Sequence, residues 1–180
     1  MKTNEIADII INKLSERHFI IFGTSISVST LHECDVLGIN SNEYIYEYEI
    51  KRSRSDFRAD FKKINKHLDL KNRNSHRIFN KWVKGYKTKE LIKSIKIPNR
   101  FYYVCEVSLI KLDEIPEYAG LIYVNKDKEF IEIKSAPLLH REKATLEIYK
   151  GISRILSQRI VYGCSYYSYK QNLRNETKTF

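Results

Sequence analysis

The sequence predicts an α/β (α+β) protein, a mixed central β-sheet flanked by helices. Three observations predict it. Apolar residues recur at near-helical spacing at both ends, over 3–16 and 142–159. Runs rich in Ile, Val, Tyr and Phe lie between them and read as strands. A basic helical segment separates the early strands from the later ones, an element order that suits a layered sheet with helices.

The elements follow in order. Ile6, Ile9, Ile10, Ile11 and Leu14 form the stripe of the first helix, with Thr3 as its expected cap. Phe19–Phe22 and Ile26–Val28 read as a first strand broken at Gly23. Asp35–Ile39 is the second strand, and Asn40-Ser41-Asn42 is turn chemistry. Tyr44–Lys51 returns as the second arm of a hairpin. A basic helix comes next, opened by Ser55 or Asp56. Its apolar stripe is Phe57, Phe61, Ile64 and Leu68, and Arg58, Lys62, Lys63 and Lys66 decorate the rest. Residues from about 69 to 99 are polar and basic, and read as an insertion or mobile element with Trp82 as a local packing anchor. Arg100–Val107, Leu121–Val124 and Glu129–Ile133 are strands, with a turn at Pro116–Gly120. The last helix carries Leu146, Tyr149, Ile152, Ile155 and Leu156 on one face, and a polar tail over 168–180 reads as disordered.

Composition bounds the function. The 180 residues, 42% of them hydrophobic, suit one domain over 1–167 with a real core. A net charge of +10 favours a polyanionic partner. No apolar stretch approaches the roughly 20 residues of a spanning helix, and the N-terminus lacks signal-peptide character, so a soluble, intracellular protein without a membrane partner is expected. Cys34, Cys105 and Cys164 are isolated, which disfavours a disulfide framework or structural zinc; Cys34 and Cys105 read as small buried hydrophobes. The five histidines make no metal-binding pair, and only His32, next to Glu33, is expected near a site. With only 6 glycines there is no phosphate-binding loop, which argues against nucleotide hydrolysis, and no Ser-centred nucleophile elbow appears.

The chemistry concentrates in one strand. Side chains alternate, so Glu47, Glu49 and Lys51 share one face while Tyr44, Tyr46, Tyr48 and Ile50 share the other. Asp35 opens the preceding strand. Two carboxylates beside a lysine at a strand end suit a hard cation and a built-in positive charge, the requirements of metal-assisted phosphodiester cleavage. Glu33 and Glu47 lie two residues before Asp35 and Glu49. Either supports a second metal or simply faces solvent.

A helix, an Asp in one hairpin strand, Glu49-Ile50-Lys51 at the end of the next, and a following helix resemble the PD-(D/E)XK nuclease superfamily. Within it, the run from Glu49 through Arg52-Ser53-Arg54-Ser55-Asp56-Phe57 to Asp60 and Lys63 is similar to the MmcB-like DNA-repair nucleases. Pro98–Val104, Ile115–Ile122 and Lys134–Pro137 fit the same group. The superfamily's proline is missing before Asp35, where Cys34 stands.

The resemblance implies a restriction-endonuclease-like core and a divalent-metal-dependent DNA endonuclease acting in repair or on branched DNA, located with the nucleoid in the cytoplasm. Asp35, Glu49 and the backbone carbonyl of Ile50 would hold Mg²⁺ (or Mn²⁺). Lys51 would orient or deprotonate the attacking water, or stabilise the transition state. Glu5, on the first helix, would add an acid or serve only its own helix end. Arg52, Ser53, Arg54, Arg58, Lys62 and Lys63 would contact phosphates, although Ser53 equally suits a helix cap. Asp56 and Asp60 are expected to cap or to pair with Arg58 and Lys63. Compact members of the superfamily often work as a homodimer or with a protein partner. Two other readings stand beside this one: a non-catalytic DNA-binding module on the same fold, and an RNA nuclease.

Overall fold

Helix α1 (Thr3–Ser15) buries Ile6, Ala7, Ile9, Ile10 and Leu14, the stripe its spacing predicts. Its first turn differs from expectation. Thr3 is the first helical residue, and Glu5 reaches back to accept the Lys2 N–H at 2.6 Å. A carboxylate suits that position because the helix N-terminus carries partial positive charge. The computed structural model describes residues 1–17, 20–26, 31–83 and 86–161, with backbone only at 20–26, 77–83, 86–94, 159 and 161. The polar tail, Cys164, His18, the expected strand ends at Phe19 and Val28, and the side chains of Trp82 and of the basic residues from 77 to 93 lie outside the described residues.

The sheet has six strands in the order β1 (Ile20–Ile26), β2 (Cys34–Ile39), β3 (Ile45–Lys51), β6 (Arg100–Glu106), β7 (Ala119–Val124) and β8 (Phe130–Lys134). β3, β6 and β7 run parallel, and the remaining neighbours pair antiparallel. The sheet is therefore mixed, as expected. The break expected at Gly23 is a register shift between Ile21 and Thr24 inside one continuous strand. An irregularity of that kind lets a glycine be accommodated without ending the strand.

Helices cover both faces of the sheet. On one, α1 meets Val36, Tyr48, Ile50, Tyr102, Val104 and Ile122. On the other, Leu37, Ile39 and Ile45 meet Ile148 and Ile152 of α4 (Leu146–Val161). The same face carries Phe101, Tyr103 and Leu121 under Phe57 and Leu70. Double coverage explains why Glu47 through Lys51 are all buried, polar and apolar alike. α4 begins later than its spacing predicts, and Leu146 is 61% exposed, so its buried face is Ile148 and Ile152.

The segment after β3 departs most from expectation. One basic helix was predicted, and two short ones form: α2 (Arg54–Asp60) and α3 (Ile64–Lys71). Lys63, at φ −78°, ψ 59°, leaves the helical basin between them. The break dismantles the predicted stripe. Phe57 stays buried, while Ile64 is 64% and Leu68 48% exposed. α3 instead turns Lys66 and Leu70 inward. Residues expected as a basic insertion or mobile element form an antiparallel hairpin, β4 (His76–Val83) and β5 (Tyr86–Ile95), a two-stranded sheet of its own.

Gly120 on β7 sits where a side chain has no room. A Cβ there would fall 2.5 Å from the Tyr102 ring and 2.7 Å from the Ala136 backbone nitrogen. Gly120→Ala should therefore cost about 1–3 kcal/mol through overpacking. Chemical denaturation monitored by circular dichroism checks this; an unchanged midpoint would mean the ring moves aside freely.

Candidate active site

β2 runs antiparallel to β3, so its first residues lie beside the last residues of β3. Val36 pairs with Tyr48 and Leu37 with Glu47, and the same register sets Asp35 against Glu49. Asp35 Oδ2 accepts the Ile50 N–H at 2.7 Å, which ties the two strands together at this end. Asp35, Glu49, Ile50 and Lys51 line one cavity of about 280 Å³, closed by Thr3 of α1 and by Asp56, Ala59, Asp60 and Lys63. Parallel sheets commonly hold ligands at the carboxyl ends of their strands, and this cavity is at the carboxyl end of β3.

The predicted trio is thus together, inside a larger charged network. Lys51 Nζ lies 3.0 Å from Glu49 Oε1 and 3.1 Å from Asp60 Oδ1. Lys63 Nζ lies 3.0 Å from the same two oxygens. Lys66 Nζ lies 2.6 Å from Glu47 Oε1 and 3.0 Å from Glu49 Oε2. Tyr103 donates its hydroxyl to Asp60 Oδ2 at 3.0 Å. His67 touches Asp60, with Nε2 3.0 Å from the backbone oxygen and 3.3 Å from Oδ2, and its Nδ1 lies 2.7 Å from the Tyr118 hydroxyl.

Several expectations change. Glu47 is buried against Lys66 and not solvated; it lies on the Glu49 face because it is two residues away on one strand. Glu5 turns to its own helix end, and the cavity takes Thr3 from α1. Ser53 caps α2, accepting the Asp56 N–H at 3.1 Å, while Asp56 accepts the Arg52 N–H at 3.2 Å. Arg54 is committed to Glu114 at 2.5 Å and to the Leu109 carbonyl at 3.2 Å, which leaves its guanidinium less available to a phosphate. His32 sits 3.4 Å from Asp69, and His67 is the histidine in the network. Arg58 and Lys62 are exposed, as phosphate contacts require. Sequence reasoning missed Lys66 and His67 as site residues and Asp60 as more than a partner of Lys63. Their signal was present in the continuation to Asp60 and Lys63, but the helix break that turns Lys66 inward has no sequence mark.

The electrostatics decide what the site lacks. Burial acts to raise the Glu49 carboxyl, but Lys66 and Lys51 hold it below its ordinary value. Burial also opposes ionisation of Asp60, yet the His67 hydrogen bond and Lys51 hold it well below the usual range. Lys66 stays protonated because Glu47 and Glu49 outweigh its burial. Asp35 is different. Burial and the nearby Glu49 carboxylate push it up to about 6, with only partial relief from the Ile50 N–H and from Lys51. Lys51, Lys63 and Lys66 are each engaged by Glu47, Glu49 or Asp60, so an ionised Asp35 has no ammonium within ion-pair distance among the described residues.

A hard cation fits that deficit. Mg²⁺ commonly uses one or two carboxylates and keeps several waters. Asp35, Glu49 and the Ile50 peptide line the cavity, while Asp60, also in its lining, is engaged by Lys51 and Lys63, and Asp56 accepts the Arg52 N–H. Among the described residues no three His, Cys, Asp or Glu side chains form an all-protein cage.

No family model and no curated protein matches the chain. A solved structure, that of a protein of unknown function from Silicibacter pomeroyi, is similar over 93% of this chain and 98% of its own, at a TM-score of 0.59 and 14% identity. The likeness is one of fold. It agrees with an α/β class of mixed sheet and flanking helices and carries no activity. Among the described residues no helix is long and apolar enough to cross a membrane.

Proposed function

We propose that the chain is a divalent-metal-dependent endonuclease with a restriction-endonuclease-like core, hydrolysing DNA phosphodiester bonds, and that it resembles the MmcB-like repair nucleases. The observation that carries this reading is Asp35, without an ammonium in ion-pair distance among the described residues, set beside Glu49 and Lys51, whose Nζ is 3.0 Å from Glu49, around one cavity. Mg²⁺ or Mn²⁺ bound by Asp35, Glu49 and the Ile50 carbonyl would activate a water and neutralise developing phosphate charge.

The chain's own groups do the rest. Asp60, held by Tyr103 and His67, fixes the Lys51 ammonium beside the cavity. From there Lys51 orients the attacking water or meets charge on the phosphate. Lys63, with its side chain 51% exposed, presents a cation at the rim where a substrate phosphate arrives. Arg58 and Lys62 extend the basic surface beyond it, and the +10 charge supplies sequence-independent attraction to nucleic acid.

One observation favours a second reading. Three lysines already satisfy Glu49, which suits a non-catalytic DNA-binding module whose acids are relics. Cleavage separates the two. Labelled single-stranded and duplex DNA, flaps, four-way junctions and RNA are incubated with Mg²⁺, Mn²⁺ or EDTA, beside Glu49→Gln. The nuclease reading expects metal-dependent cutting of DNA that Glu49→Gln loses. Salt-sensitive binding that EDTA leaves unchanged, with no cutting of any substrate, would favour the module; cutting confined to RNA would move the substrate class.

A further inference from the structure

A second cavity lies on the other face of the sheet. It measures about 410 Å³, within the ~300–1,000 Å³ typical of ligand sites. Its position follows from the alternation that builds the active site: Tyr46 and Tyr48 face α1, while Glu47 and Glu49 face α2 and α3. It opens at the start of β3, beyond the last turn of α1, and shares no lining residue with the cavity at Asp35 and Glu49.

Its walls combine two chemistries. Tyr48 and Tyr102 pair across β3 and β6 and stack with centroids 5.4 Å apart and rings 14° from parallel. The absence of a side chain at Gly120 is what lets the Tyr102 ring lie flat there. Tyr46 and Phe130 add aromatic surface. Arg17, just past α1, holds its guanidinium 5.9 Å from the Phe130 ring centre, and Arg100 binds the Ala136 carbonyl on the opposite side. Glu132 lines the cavity, and its Oε1 accepts from the Tyr102 hydroxyl at 3.0 Å and from Ser135 at 2.8 Å.

We propose that this cleft binds a nucleotide unit, its base against the partly exposed Tyr46 and Phe130 above the buried Tyr48–Tyr102 pair, and its phosphate on Arg17 and Arg100. An aromatic surface accepts any base by stacking, arginines suit phosphate, and a carboxylate accepts from base amino groups. A purely apolar ligand would leave the two guanidiniums without an anion, and a simple anion would not use the rings. The unit comes either from a free nucleotide or from one residue of a single strand. None of its contacts is a metal or cleavage residue, so the proposal stands or falls apart from the nuclease reading.

The test is calorimetric titration of the full chain with 5′-dAMP and, separately, with a short oligodeoxyadenylate, in EDTA and at physiological salt. Arg17→Gln and Tyr46→Ala are run alongside, with thermal melts to confirm folding. Binding that each variant weakens by about tenfold supports the site. Saturation by 5′-dAMP identifies a free-nucleotide site, and binding of the oligonucleotide alone identifies a strand subsite. Failure of both probes to bind, or binding undiminished in both folded variants, overturns the proposal.

Discussion

Replacing Lys66 by Met should lower stability by about 3–5 kcal/mol, the usual effect of removing one partner from a buried ion network. The Lys66 side chain is 3% exposed and its ammonium lies between Glu47 at 2.6 Å and Glu49 at 3.0 Å. Glu47 has no other ammonium within ion-pair distance among the described residues, and burial with the Glu49 charge nearby already lifts it to about 7, against the pull of Lys66. Without Lys66, Glu47 must take a proton or unfold its surroundings. Glu49 keeps Lys51 and Lys63. Urea denaturation at pH 7.5 measures the loss. Adding Glu47→Gln to the variant should restore part of it, because the stranded charge is gone; equal loss with and without Glu47→Gln would show that Lys66 acts through packing alone.

Asp35→Asn should have opposite effects on activity and stability. Cleavage should fall by about 10²–10³-fold or more, since one of the two carboxylates able to hold the cation is lost. Stability of the metal-free protein should rise. The Asp35 carboxyl is raised from 3.8 to about 6 in the fold. In the unfolded chain it ionises at lower pH, so ionisation favours unfolding. Stability from this group is highest below about pH 4, declines as pH rises towards 6, and stays low above it. At ~1.4 kcal/mol per pH unit the full effect is no more than ~3 kcal/mol, and water in the cavity reduces it to ~1–2. Asn keeps an oxygen for the Ile50 N–H while removing the charge. Denaturation in EDTA at pH 5 and pH 7.5 reads both halves: the variant should gain at pH 7.5 and show a smaller difference between the two values. Loss of stability at pH 7.5 would mean that Lys51 and Lys63 already neutralise Asp35.

The fold and the site differed in how much the sequence revealed. The strands were legible because Ile, Val and aromatic residues concentrate there, and the alternation of Glu47, Glu49 and Lys51 against Tyr46, Tyr48 and Ile50 fixed which side chains face together. The helix after β3 was not. Phe57, Phe61, Ile64 and Leu68 obey a helical period, but the departure of Lys63 from helical backbone breaks that period in space, and exposed Ile64 and Leu68 are the result. Lys66 consequently read as a surface charge, although its favourable setting is created only when α3 folds over two glutamates far back in the chain, Glu47 and Glu49. Local spacing cannot register a partner brought by tertiary contact. The cleft at Tyr48 and Tyr102 escaped for the same reason, since its walls come from Arg17 beyond α1, the turn after β2, and strands β3, β6, β7 and β8.

The central claim is a divalent cation held between Asp35 and Glu49, and Mn²⁺ titration followed by electron paramagnetic resonance tests it most directly. The full chain, freed of metal with EDTA and exchanged into buffer at pH 7.5, should lose the free Mn²⁺ signal on binding, and Mg²⁺ should restore it by competition. Asp35→Asn and Glu49→Gln should each weaken binding by at least about tenfold while remaining folded. No binding by the wild-type chain, or binding that both variants leave intact, would contradict the account.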